Sequence, residues 1–143
     1  ERKKEALKQV KYAIDCLHDV LEYSYKYWEM NFAKSFANPI DLQNEIDDHY
    51  FMYAEELIYI SKYFERRDKL CEALNQHSLD LGRTIVELLN EYIHLTTFQF
   101  YDDNIGMANN YWSSFFNMIS NNMDNLRKTK KEIDDMLYSM YSV

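Results

Sequence analysis

The chain has 143 residues and a net charge of −8, with 47% hydrophobic and 28% charged residues. That length is one domain's worth, and the apolar share fills a core, which excludes a disordered chain. The acidic balance disfavours sequence-independent binding of nucleic acid by the whole surface, and no run reaches the ~18 apolar residues of a membrane span. Two glycines and one proline are too few for the turns of a sheet protein, so the composition predicts few, long helices.

The first segment runs from about Lys3 to Ala33. Leu7, Val10, Ile14, Leu17, Leu21, Tyr25, Trp28 and Phe32 recur three and four residues apart, which places them on one stripe of a helix. The stretch Ser35-Phe36-Ala37-Asn38-Pro39 ends it. Asn38 suits the cap of the next helix and Pro39 its first position, where a missing N–H costs nothing.

A second helix follows, with Ile46, Tyr50, Tyr53, Leu57, Ile60 and Phe64 as its stripe. A third carries Leu81, Ile85, Leu88, Tyr92 and Leu95. The turn between them is expected at Asn75-Gln76-His77-Ser78, poor helix formers next to Gly82, with Ser78 able to cap the next helix. A turn near Arg66 to Asp68 is the second choice, and a fused helix giving a three-helix arrangement is the alternative. Asp102-Asp103-Asn104, near Gly106, ends the third helix and caps a fourth from about Met107 to Met140. The fourth stripe is Trp112, Phe115, Ile119, Met123, Leu126, Ile133, Leu137 and Met140. Short connections make neighbours antiparallel, so the expected fold is one all-α domain over residues 1–143, an up-down-up-down four-helix bundle.

Folded that way, the chain has two poles. Residues 18–57 and 90–121 hold twelve carboxylates against two cations, a net of −10. The remaining residues hold twelve carboxylates against fourteen cations, a net of +2. The acidic pole is also the aromatic one. Tyr23 and Tyr27 there lie off the core stripe of the first helix, and aromatic rings left outside a core are candidates for an interaction surface or self-association. At the basic pole, Arg2, Lys3, Lys4, Arg127, Lys128, Lys130 and Lys131 form a second candidate surface, suited to an anionic membrane. A basic run at the first residues is the pattern of a cytoplasmic domain tethered through a segment outside this chain. The abundance of Asn, Lys, Ile and Tyr points to a bacterial or phage source.

Metal chemistry has one candidate constellation. Glu91-x-x-His94 projects a carboxylate and an imidazole from one helix face, and Glu45 with His49 does the same one turn apart, as in a ferritin-like carboxylate bundle. Asp15-x-x-His18 is a weaker echo. A di-iron site needs two Glu-x-x-His motifs and two more glutamates, and the chain supplies one good motif, so no cofactor is assigned. Nucleophilic catalysis lacks its signatures: there is no Gly-x-Ser-x-Gly elbow and no glycine-rich phosphate loop. Cys16 and Cys71, without metal-type spacing, read as reduced, half-buried thiols of a reducing compartment. The expectation is therefore a non-enzymatic interaction or scaffolding domain. A metal-binding carboxylate bundle and a nucleic-acid-associated module acting through the basic pole are the alternatives.

Overall fold

The computed structural model describes residues 2–31, 58–98 and 107–142. Among these the chain is helical and without strands, in four helices: α1 (Arg2–Asn31), α2 (Ile58–Leu81), α3 (Arg83–Leu95) and α4 (Met107–Tyr141). The expected break at Ser35 to Pro39, the stripe positions Ile46 to Leu57 and the cap at Asp102 to Asn104 lie outside the described residues.

One apolar core draws on all four helices. Leu7, Val10, Ile14, Leu17 and Leu21 of α1 are buried, as are Phe115, Ile119, Met123, Leu126, Ile133 and Leu137 of α4. The stripe of α2 is shifted from the expected one. Tyr63, not Phe64, enters the core, followed by Leu70, Leu74 and Leu81, and Phe64 stays 38% exposed. The shift has a polar cause. The Tyr63 hydroxyl donates to the main-chain carbonyl of Thr96, and its ring packs among Phe64, Phe98 and Phe115.

The turn between α2 and α3 is at Gly82, not at Asn75 to Ser78 or at Arg66 to Asp68, and it rules out the fused three-helix alternative. Two tertiary contacts override the weak helix propensity of the 75–78 stretch. Leu74 and Leu81 are buried on either side of it, and His77 is buried with Nε2 donating to Gln9 Oε1 of α1 at 2.6 Å. Gly82 has φ +89° and ψ 164°, a region essentially confined to glycine. Its N–H closes α2 on the Ser78 carbonyl, and its own carbonyl opens α3 by accepting from Val86. A single residue thus makes the connection.

At 13 residues, α3 is too short to be stable alone and depends on its buried face of Ile85, Leu89 and Tyr92. Thr96 and Thr97 close its end with their N–H groups on the Tyr92, Ile93 and His94 carbonyls, and neighbouring helices add to this. Asn122 Nδ2 of α4 donates to the Leu95 carbonyl at 2.9 Å, and Arg67 of α2 donates to the hydroxyls of Thr96 and Thr97.

Contacts between helices run in opposite chain directions. Along α1 and α2, Gln9 meets His77, Cys16 meets Arg66 and Tyr23 meets Tyr59. Along α1 and α4, Lys11 meets Asp134, Asp15 meets Lys130 and Glu22 meets Arg127. Cys16 and Cys71 are free and half-buried. Among the described residues no helix is long and apolar enough to cross a membrane.

Candidate functional site

The most developed polar feature is a seam between α1 and α4. On α1, Lys4, Lys8, Lys11, Asp15, His18 and Glu22 follow at steps of four and three, so they share one edge of the helix. On α4, Arg127, Lys130, Asp134, Tyr138 and Tyr141 do the same. Each edge flanks its helix's core stripe, and the two edges face each other.

The middle of the seam is a box of two lysines and two aspartates. Lys11 Nζ donates to Asp15 Oδ1 and Asp134 Oδ1, each at 2.9 Å. Lys130 Nζ donates to Asp134 Oδ2 at 2.6 Å and lies 2.9 Å from Asp15 Oδ1. The Lys130 side chain is only 11% exposed. Burial of an ammonium is costly unless it is paired, and here two carboxylates share it. Burial pulls the Lys11 ammonium down, but the hydrogen bonds and charges of Asp134 and Asp15 outweigh this and hold it above its usual value. Burial likewise pushes Asp15 up, and Lys130 and Lys11 outweigh it to hold the carboxyl below its usual range.

One turn further along lies a four-membered relay. Tyr92 of α3 is fully buried, and burial keeps its phenol protonated to well above the usual pH. Its oxygen is 2.8 Å from His18 Nδ1. Burial also holds His18 below its ordinary value, so the ring is neutral at pH 7. Its Nε2 lies 3.3 Å from Glu22 Oε2. The assignment that satisfies every atom has Tyr92 donating to Nδ1 and Nε2–H donating to Glu22. Arg127 closes the relay with both nitrogen arms on Glu22, at 2.7 to 3.1 Å, and stacks on the Tyr25 ring at 5.0 Å. Those hydrogen bonds lower the Glu22 carboxyl and raise the Arg127 guanidinium.

A tyrosine, a histidine and a carboxylate in series are also the parts of an activated nucleophile. Here the Tyr92 side chain has no exposed surface, so its oxygen is closed to a substrate. The relay ties α1, α3 and α4 together.

The seam changes character at its far end. Lys4 and Lys8 hold their ammonium groups over the Tyr141 ring, at 5.5 and 5.9 Å, and have no carboxylate within 4 Å among the described residues. Beside them a cavity of about 250 Å³ opens between Leu7, Leu137, Tyr138 and Tyr141, with Lys8, Lys11 and Asp134 also lining it. Its wall is almost wholly apolar. Tyr138 is 77% exposed, and Tyr12 stands 73% exposed on α1.

The sequence-selected residues fall in different places. Arg127 is exposed but pairs with Glu22, a residue of the expected acidic pole, and Lys130 is buried in the box. Lys131 pairs with Asp135 at 3.5 Å on the surface, and Arg2 lies 3.7 Å from Asp80. Lys3 and Lys128 are exposed. Tyr23 is exposed with its ring 4.9 Å from Tyr59, and Tyr27 is half-buried beside Phe116. Glu91 and His94 are both exposed on α3, while Glu45 and His49 lie outside the described residues. Among the described residues no three His, Cys, Asp or Glu side chains group closely enough to hold a metal ion. Asp15 and His18, read as a weak metal motif, are instead engaged by lysines and by Tyr92.

Sequence reasoning overlooked Lys8, Lys11, Glu22, Asp134, Tyr138 and Tyr141. The signal was present as complementary charges at steps of three and four on the first and last helices, read in opposite directions. Comparison of the chain with known protein families, with curated proteins and with solved structures returns no match.

Proposed function

We propose that this chain is a non-enzymatic interaction domain, an antiparallel up-down-up-down four-helix bundle that presents the open end of the α1–α4 seam to a partner protein. The opposed chain directions of the α1–α2 and α1–α4 contacts and the one-residue reversal at Gly82 support the bundle. The observation that carries the function is the contrast along one seam. Its middle is closed on itself, with charges paired and the Tyr92 oxygen out of reach, and its end leaves two lysines and two tyrosines around an apolar groove. Large aromatic side chains around an apolar groove at the surface are what protein interfaces use.

Photo-crosslinking in the protein's native cells tests this reading. Benzoylphenylalanine in place of Tyr138 is expected to give a discrete protein adduct that Lys8→Glu weakens. The same probe in place of Glu87, on the exposed face of α3, serves as control. Adducts identical at both positions, or none at position 138, would overturn the proposal.

A further inference from the structure

The seam follows a rule that its end breaks. Along the seam edge of α1, Glu22, Asp15 and Lys11 each meet an opposite charge on α4. Continuing the α4 edge past Asp134 reaches positions 138 and 141, where carboxylates would complete the pattern opposite Lys8 and Lys4. Tyrosines stand there instead. Among the described residues two ammonium groups therefore lie over a ring without the anions that the other cations of the seam possess.

We infer that the open end of the seam takes an acidic peptide segment of a partner protein. One large apolar side chain enters the groove beside Leu7 and Leu137, and flanking carboxylates meet Lys4 and Lys8. This rests on the interaction-domain reading above and adds the chemistry of the partner. Volume and shape favour this occupant. At about 250 Å³ the groove is below the ~300–1,000 Å³ of small-molecule pockets, which suits a single side chain. An anionic bilayer presents charge in a plane, which a concave groove walled by two helices does not match, and the chain's net −8 opposes approach to any extended anionic surface. A short peptide with a few carboxylates meets the lysines locally and avoids that repulsion.

Fluorescence anisotropy with a fluorescein-labelled peptide, Asp-Glu-Leu-Phe-Glu-Asp, is the test. Binding is expected to weaken at least ~10-fold on replacing Leu and Phe by Ser in the peptide, and by a similar factor for its Asn/Gln analogue. Lys4→Glu with Lys8→Glu should abolish binding of the acidic peptide and create binding of a Lys-Lys-Leu-Phe-Lys-Lys peptide. Both lysines are exposed, and circular dichroism checks that the variants fold; Tyr138→Ala, weakening binding without touching a charge, is an independent variant. No binding up to the order of 1 mM would overturn the inference, as would equal binding of the Asn/Gln analogue. Tighter binding to vesicles of equal parts phosphatidylserine and phosphatidylcholine, or to an oligo-dT strand, would also overturn it. A specific Tyr138 crosslink together with failure of the acidic peptide would leave the interaction domain standing and refute only the acidic partner.

Discussion

Lys130 and Asp15 are 115 positions apart in the chain, and Lys130 Nζ lies 2.9 Å from Asp15 Oδ1, with the lysine almost out of contact with water. The pair fixes the register of the first helix against the last. A slip by one helical turn would set Lys11 against Lys130 and leave both aspartates misplaced. Lys130→Met is therefore expected to destabilise the fold by about 2 kcal/mol. That is less than the ~3–5 kcal/mol of a fully buried pair, because Lys11 remains and the aspartates are partly solvated. A double-mutant cycle with Asp15→Asn, followed by urea unfolding, should show coupling of about 1 kcal/mol; additive effects would mean that the pair does not set register.

Tyr92→Phe removes one hydroxyl and leaves His18 Nδ1 without its donor. The expected cost is about 1–2 kcal/mol, that of an unsatisfied buried polar atom. His18→Phe in the Tyr92→Phe background should recover part of the loss, since both partners are then apolar. A Tyr92→Phe variant as stable as the parent in chemical denaturation would show that the Tyr92–His18 hydrogen bond does not contribute to stability.

Acid should loosen the molecule in two stages. His18 is held below its ordinary value by burial, so the unfolded chain takes up the proton first, and stability is lost as pH falls below about 6.5. Asp15 and Glu22 are also held low in the folded state, which adds stability above about pH 4.5 that is lost as they protonate. On the alkaline side, Tyr63 is pushed up to about 12 by burial, and Tyr92 and Lys11 are raised as well. Their contribution is complete below about pH 10 and declines above it. Thermal unfolding across pH reads both limbs. His18→Gln should flatten the step near neutrality and leave the lower one; a variant with an unchanged profile would remove His18 from the account.

Gly82 joins two helices in a backbone conformation that L-residues rarely adopt, and a methyl group placed there meets nothing within 4 Å. The cost of Gly82→Ala is thus purely one of backbone, about 1–3 kcal/mol. Substitution by D-alanine through chemical ligation should be neutral or stabilising. Equal destabilisation by both enantiomers, measured by thermal denaturation, would contradict the turn.

The fold's helical character was legible because apolar residues recur at a helical period in the first and last segments, and most of those described fill the core. The α2–α3 turn was not, because Asn75 to Ser78 are poor helix formers whose fate is decided by His77 reaching Gln9 and by buried Leu74 and Leu81. Gly82 alone carried the signal. The choice of Tyr63 over Phe64 was invisible for a similar reason: it turns on a carbonyl 33 residues away. The candidate site was half legible. Counting charges by pole gave Arg127 and Lys130 no partners, whereas Glu22 and Asp15 are brought to them by the pairing of α1 with α4. Local sequence gives the edge of a helix on which a charge lies; which edge faces it is a tertiary fact.

A seam closed in its middle and open at its end for the proposed partner has a direct spectroscopic signature. An ¹H–¹⁵N correlation spectrum of the labelled protein, titrated with the Asp-Glu-Leu-Phe-Glu-Asp peptide, tests it most directly. Progressive shifts at residues 4, 8, 138 and 141, with Asp15, His18 and Lys130 unmoved, are the predicted result. Shifts centred on the middle of the seam, or none at all, would contradict it.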